Sequence, residues 1–252
     1  MTSTENPANS SVSPGPAKEV PPPAPIWRNR PGIRQEDWSQ WPLIPLDQIE
    51  STFLAQQYIQ GLIRKDASAI KEIVEVPESQ DRDLWRYEHL RQICLELNNL
   101  VIMLEPECTA ASCPEMKAHE WLYLCAGHPN PQQCPALDYI VHTLDSATAL
   151  LNSQKAFFSR ITIPEGSIKH FANITRRLYR IFAHAWFHHK EVFQEFEVET
   201  HLYARTYYMI KYFDVMPDDA LVVPLDACMT DIPDLKEEAS SSDSDENGSD
   251  DK

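Results

Sequence analysis

Glycine is scarce in this sequence: six occur among 252 residues, and two of them, Gly15 and Gly248, lie near the ends. With so few residues suited to tight, positive-φ corners, an architecture of many short strands is disfavoured. No stretch approaches the roughly 18 consecutive apolar residues that span a bilayer. The opening MTSTENPANSSVSPGPAKEV has neither the basic nor the apolar part of a secretory leader. The expectation is an intracellular protein, in which the N-x-[ST] patterns at Asn9, Asn173 and Asn247 arise by chance. Positive charge is also short, 22 Lys and Arg against 38 Asp and Glu for a net charge of -16. That balance excludes a general nucleic-acid binder, because phosphate attraction supplies most non-specific affinity. No H-E-x-x-H motif occurs, which removes the commonest signature of a helical zinc protease.

What the sequence does contain is a 42% hydrophobic composition, enough for a substantial core. Its apolar residues recur mostly at helical spacing, so the fold class is mainly α. Ten of the twenty prolines fall in the first 45 residues, and residues 1–25 read as a disordered Pro-rich arm. Residues 231–252 carry nine acids against two bases and read as a disordered, acidic, Ser-rich tail. Ser240 and Ser242 each have an Asp three residues on, a pattern acidophilic kinases favour, although a solvating tail explains the same residues. The folded domain is then 26–230. Within it Asp47 can cap QIESTFLAQQYIQGLIRK, and Leu90, Cys94, Leu97, Val101 and Leu104 form a stripe in a helix starting near Asp83. Further helices are expected in PALDYIVHTLDSATALLN, in the long GSIKHFANITRRLYRIFAHAWFHHKEVFQEFE, and in THLYARTYYMIKYF.

Six cysteines in an intracellular chain are expected to be reduced. Cys94 sits on the apolar stripe and reads as core. Cys125 and Cys134 lie in WLYLCAGHPNPQQCPALDY, whose aromatic and aliphatic neighbours favour burial, and Cys228 carries little information. Cys108 and Cys113 differ, because ECTAASCPEM places them in a loop as a C-x4-C pair whose thiolates can turn toward one cation. AHAWFHHK offers His184, His188 and His189 as partners from a distant helix. On a regular helix His188 lies about 40° from His184 and His189 about 140° away, so geometry slightly favours His188 while H-x4-H spacing favours His189. Two thiolates and two imidazoles fill a tetrahedral shell, which points to a structural ion; a hydrolase would need an open position and a base, for which Glu191 is the one acid nearby.

On the same helical segment Ile174, Leu178, Ile181, Ala185 and Val192 share one face, while Arg176, Arg177 and Arg180 fall within an arc of about 100° opposite it. Three guanidiniums so placed suit a phosphorylated or acidic peptide, although a solvated helix face produces the same pattern.

The motifs RNRPG at 28–32, WRYEHLRQICLEL at 85–97, CTAASCP at 108–114, CPALDYIVHTLDSATALLNS at 134–153 and RRLYRIFAHAWFHH at 176–189 together resemble the Mob family, in its phocein-like branch. The resemblance runs from about Trp27 to Pro224 and implies a helical domain on a four-helix core with one structural zinc held by Cys108, Cys113, His184 and His189. It implies that Arg176, Arg177 and Arg180 hold phosphopeptides and that the protein is a non-catalytic adaptor. Partners implied by the branch are a striatin-like scaffold (the STRIPAK assembly), protein phosphatase 2A and germinal-centre-type kinases. A cytoplasmic location, with peripheral association at Golgi or vesicle membranes, is implied as well. Direct coactivation of an NDR/LATS-type kinase is the family's other mode. The sequence departs from the family in its two tails and in FFSR at 157–160, where relatives usually place a proline before the serine.

Overall fold

The structure is a computed structural model and describes residues 29, 31–34, 37, 38, 41–230 and 232. The expected Pro-rich arm, the acidic tail and its two serines lie outside the described residues, save for Ile232, which is buried. Two units separate, residues 1–41 and 42–252. In the first, Gly32 takes a positive φ of 79° in a turn, and the Trp38 indole N–H donates to the Ile33 carbonyl at 3.3 Å.

Among the described residues seven α-helices carry the second unit: α1 (Leu54–Lys65), α2 (Ile70–Val74), α3 (Arg82–Leu104), α4 (Ala136–Leu151), α5 (Glu165–His188), α6 (Lys190–Thr200) and α7 (Leu202–Phe213). A two-stranded antiparallel hairpin, β1 (Lys117–Ala118) and β2 (Trp121–Leu122), interrupts them. The centre is α3, which packs on α1, α4, α5, α6 and α7. It has no single apolar stripe. Trp85, Tyr87, Leu90, Ile93, Leu97, Leu100 and Leu104 are all buried around it, as expected of a helix enclosed on most sides. With α4, α5 and α7 it forms a four-helix core, in which α5 also packs on α4 and α7.

Polar groups fix where the helices start and how they dock. Asp81 caps α3, its carboxylate accepting from the Leu84 N–H at 2.7 Å. Such a cap stabilises a helix by about 1 kcal/mol. Asp47 makes no such cap: residues Leu46–Gln48 form a single 3-10 turn, and α1 begins only at Leu54. The Ser51 hydroxyl instead accepts from the Phe53 N–H at 3.1 Å, holding a turn where a continuous helix was expected. The buried Trp85 indole donates to the Val74 carbonyl at 3.1 Å, pinning α2 to the core. At the α6–α7 corner His201 adopts the left-handed region, and the buried Glu197 carboxyl accepts from the backbone N–H groups of Tyr203 and Ala204 at 2.7 and 2.9 Å. Those are two of the donors a helix start would otherwise leave unpaired.

Candidate metal centre and arginine pocket

Residues 107–113 form a compact turn built from their own side chains. The Thr109 N–H donates to the Ser112 hydroxyl at 2.9 Å, the Cys113 N–H donates to the Thr109 carbonyl at 2.8 Å, and both sulfurs turn inward. Opposite them, α5 does not run through to Glu197 as its apolar pattern suggested. It stops at His188, and His189 takes φ -140° and ψ 53° before α6 begins. That one non-helical residue decides between the two histidines. On an unbroken helix His189 would point away from His184; at the break its ring swings back, and it is buried, whereas His188 is exposed and stacks on the His184 ring with centroids 4.8 Å apart.

The result is a cluster of Cys108, Cys113, His184 and His189 whose ligand atoms all lie within 4.8 Å of one another. The Cys108 sulfur is 3.4 Å from His184 Nε2, and the Cys113 sulfur is 3.3 Å from His189 Nε2. A tetrahedral ion with bonds of about 2.0 Å to nitrogen and 2.3 Å to sulfur holds neighbouring ligand atoms about 3.3 to 3.8 Å apart. The four side chains therefore fit a metal ion. The His184 ring is held in the orientation such an ion requires, with its Nδ1 2.7 Å from the Lys117 carbonyl. That oxygen can only accept, so Nδ1 carries the proton and Nε2 keeps its lone pair for the cluster. Burial pulls His184 down to about 4, keeping the imidazole neutral at physiological pH. Burial and the neighbouring Cys113 push the Cys108 thiol up to about 12, so two thiolates side by side here need a cation between them. Glu191, the acid nearest in sequence, is exposed on α6.

Arg176, Arg177 and Arg180 lie on the outer face of α5, while Ile174, Leu178, Ile181 and Ala185 are buried beneath it. All three arginines line one pocket of about 190 Å³, together with Tyr139, His142, Thr143 and Ser146 of α4 and Ala126 and Gly127 of the preceding loop. Among the described residues no carboxylate lines it. Arg180 is held in place, its guanidinium donating to the Tyr139 hydroxyl at 3.1 Å and stacking 4.5 Å from the Tyr123 ring centroid. Arg176 and Arg177 are exposed and, among the described residues, make no ion pair.

Of the remaining cysteines, Cys94 and Cys228 are buried in the core, and burial pushes the Cys94 thiol up to about 12 and raises that of Cys228 as well. The departure FFSR has a structural role that sequence patterns did not reveal. Arg160 makes a bidentate pair with the buried Glu88 of α3, with the terminal nitrogen 2.7 and 2.8 Å from the two carboxylate oxygens. Its only sequence signal is a glutamate among the core positions of a helix, which demands a partner.

Residues 62–224 match the profile of the Mob1/phocein family. The sequence is 47% identical over 199 residues to the Drosophila melanogaster protein named MOB kinase activator-like 4, covering 79% of this chain and 89% of that one. It is also 47% identical over 202 residues to the Caenorhabditis elegans MOB-like protein phocein, covering 79% and 90%. The maintenance of ploidy protein mob1 of Schizosaccharomyces pombe is 29% identical over 153 residues, covering 58% and 72%.

Proposed function

The chain belongs to the Mob1/phocein family, and from that premise we propose that it is a non-catalytic adaptor that uses the Arg176, Arg177 and Arg180 pocket to hold a phosphorylated segment of a kinase partner. The observation that carries this reading is the convergence of three guanidiniums, two of them exposed, on one pocket with no carboxylate in its wall. Asp219 shares a neighbouring hollow with Arg176 and Arg180 but, among the described residues, forms an ion pair with neither, which leaves the guanidiniums for an anion from outside. Tyr139 and Tyr123 hold Arg180 in position, so a phosphate meets a donor that has already lost its freedom. Partners proposed for the assembled adaptor are a striatin-like scaffold, protein phosphatase 2A and a germinal-centre-type kinase. A cytoplasmic site, with peripheral attachment at Golgi or vesicle membranes, accompanies them.

Zinc is the ion we assign to Cys108, Cys113, His184 and His189, because two thiolates and two imidazoles at tetrahedral spacing are its preferred structural set. When bound it supplies cross-linking, with no vacant position for substrate. The residues around it do the rest: the Lys117 carbonyl orients His184, and the turn at 107–113 aims both sulfurs. Hydrolase chemistry is set aside on that donor set.

The test is binding of a phosphothreonine peptide, beside its unphosphorylated form, to wild type and to Arg176→Ala/Arg180→Ala. Each charge-assisted contact contributes on the order of 1.5 to 3 kcal/mol, so the double variant should bind at least about tenfold more weakly, with no loss in the unphosphorylated control. Equal affinity for both proteins would sink the phosphopeptide reading. Affinity capture from cells should recover the scaffold and phosphatase subunits with wild type. Recovery of an NDR/LATS-type kinase without them would favour direct kinase coactivation, the mode suggested by the name of the fly relative.

A further inference from the structure

The geometry points to a second structural zinc site in this chain, formed by Cys125, His128, Cys134 and His142. These four side chains lie on a different stretch from the first cluster, and their ligand atoms also all fall within 4.8 Å of one another. The His128 Nε2 is 3.0 Å from the Cys134 sulfur, and the His142 Nδ1 is 3.5 Å from the Cys125 sulfur. The two imidazoles meet nearly at right angles, 88° between planes and 4.9 Å between centroids, so their nitrogens enter the cluster from different directions. Both cysteines are buried and both histidines half-buried, as in a site closed to substrate.

Three features of the surroundings fit a metal better than a pair of thiol–imidazole hydrogen bonds. The loop is shaped to bring the ligands together: Cys125 and Gln132 exchange backbone hydrogen bonds of 2.7 and 3.2 Å, closing a ring that carries His128 across the cluster. The Gly127 N–H reaches toward the Cys125 sulfur at 3.4 Å, a contact that supports a thiolate, and a Cβ at Gly127 would stand 3.0 Å from the His142 Cβ.

The third feature is what the segment lacks. Among the described residues from 105 to 135, the buried apolar side chains other than cysteine are Met116 and Ala118. Trp121, Leu122 and Leu124 are all exposed. A stretch of this length with two such anchors is too poor in apolar burial to hold one conformation, and small metal-bound units solve that problem by cross-linking. The first cluster holds its beginning. The second would hold its end, with all four ligands inside a C-x2-H-x5-C-x7-H span that closes on α4. A donor set of two sulfurs and two nitrogens selects zinc among the divalent ions.

The proposal is tested by counting ions on the zinc-loaded, reduced full-length chain with native mass spectrometry. Two zinc ions are expected on wild type and one on Cys125→Ser/Cys134→Ser. Wild type that saturates at one ion overturns the site and leaves the two sulfur–imidazole pairs as hydrogen bonds; so does a folded double variant that still carries two. Should the double variant fail to fold, His128→Ala removes a ligand from the half-exposed side. It should surrender one ion to a chelator at a concentration at least about tenfold below that which strips wild type. Equal chelator resistance of both ions in wild type and His128→Ala overturns the proposal.

Discussion

The four-helix core and the segment from 105 to 135 are held together by different physics. In the core, α3 is enclosed by five other helices and buries aromatic and aliphatic side chains on most of its circumference. Burial at about 25 cal/mol per Å² of apolar surface is sufficient there, and polar groups merely set caps and register. The segment buries few apolar side chains, and with the proposed ions in place its order would rest on two Cys2His2 clusters and the backbone bonds between them. Core positions should therefore respond to lost volume, and segment positions to lost ligands.

The largest effect is expected at Cys113→Ser, because structural zinc in small peptides contributes on the order of 10 to 16 kcal/mol of apparent binding energy. The bundle should keep much of its helical circular dichroism while the segment becomes protease-sensitive; an unchanged melting temperature and cleavage pattern would contradict the division. In the core, Trp85→Ala removes a large buried ring and orphans the Val74 carbonyl, a change worth about 3 to 5 kcal/mol in urea unfolding. Its metal content should be unaltered. Arg160→Ala leaves the Glu88 carboxylate buried without its bidentate partner and should cost about 3 kcal/mol. Arg160→Ala with Glu88→Leu should recover much of that loss if the pair, and not the arginine stem, is what matters.

The smallest predicted effect is a slope. Burial pushes the Glu197 carboxyl up to about 8 from its ordinary 4.5, against the two N–H groups it accepts. The folded protein then holds a proton that the unfolded chain releases, so this group's contribution is fully present below about 4.5 and declines as pH rises toward 8. Glu197→Gln removes the titration while keeping an acceptor for one of the two N–H groups, and should flatten the fall in melting temperature between about pH 6 and 8 whatever its overall stability. A variant with the wild-type slope would assign that fall to other groups.

Much of the helical framework was legible because apolar residues recur with the period of a helix. The segments around Leu90, Tyr139 and Tyr207 became helices near their expected limits, whereas the one around Ile174 starts as expected but ends at His188. Boundaries set by a single residue were less legible. Asp47 offered a cap as good as Asp81, but only Asp81 is followed at once by a helix the core can bury. The break at His189 left no mark in the apolar pattern, since Val192 continues the stripe on α6 after a corner. Cys125 and Cys134 read as core residues because their neighbours are apolar, and His128 and His142, one in a loop and one on a helix, share no periodicity that would join them.

Composition and periodicity by themselves determined that this is a mainly α-helical chain and where its principal helices run, and they singled out Cys108, Cys113 and three arginines as candidates for an ion and an anion. Those properties are local, set by the spacing of residue types along a few turns. Tertiary structure decided which histidine completes the first cluster, that four scattered residues form a second, and that Arg160 belongs to Glu88. Each of these depends on where the chain bends and on which distant element then comes within about 3 to 4 Å, the range over which ligand geometry and hydrogen bonds act.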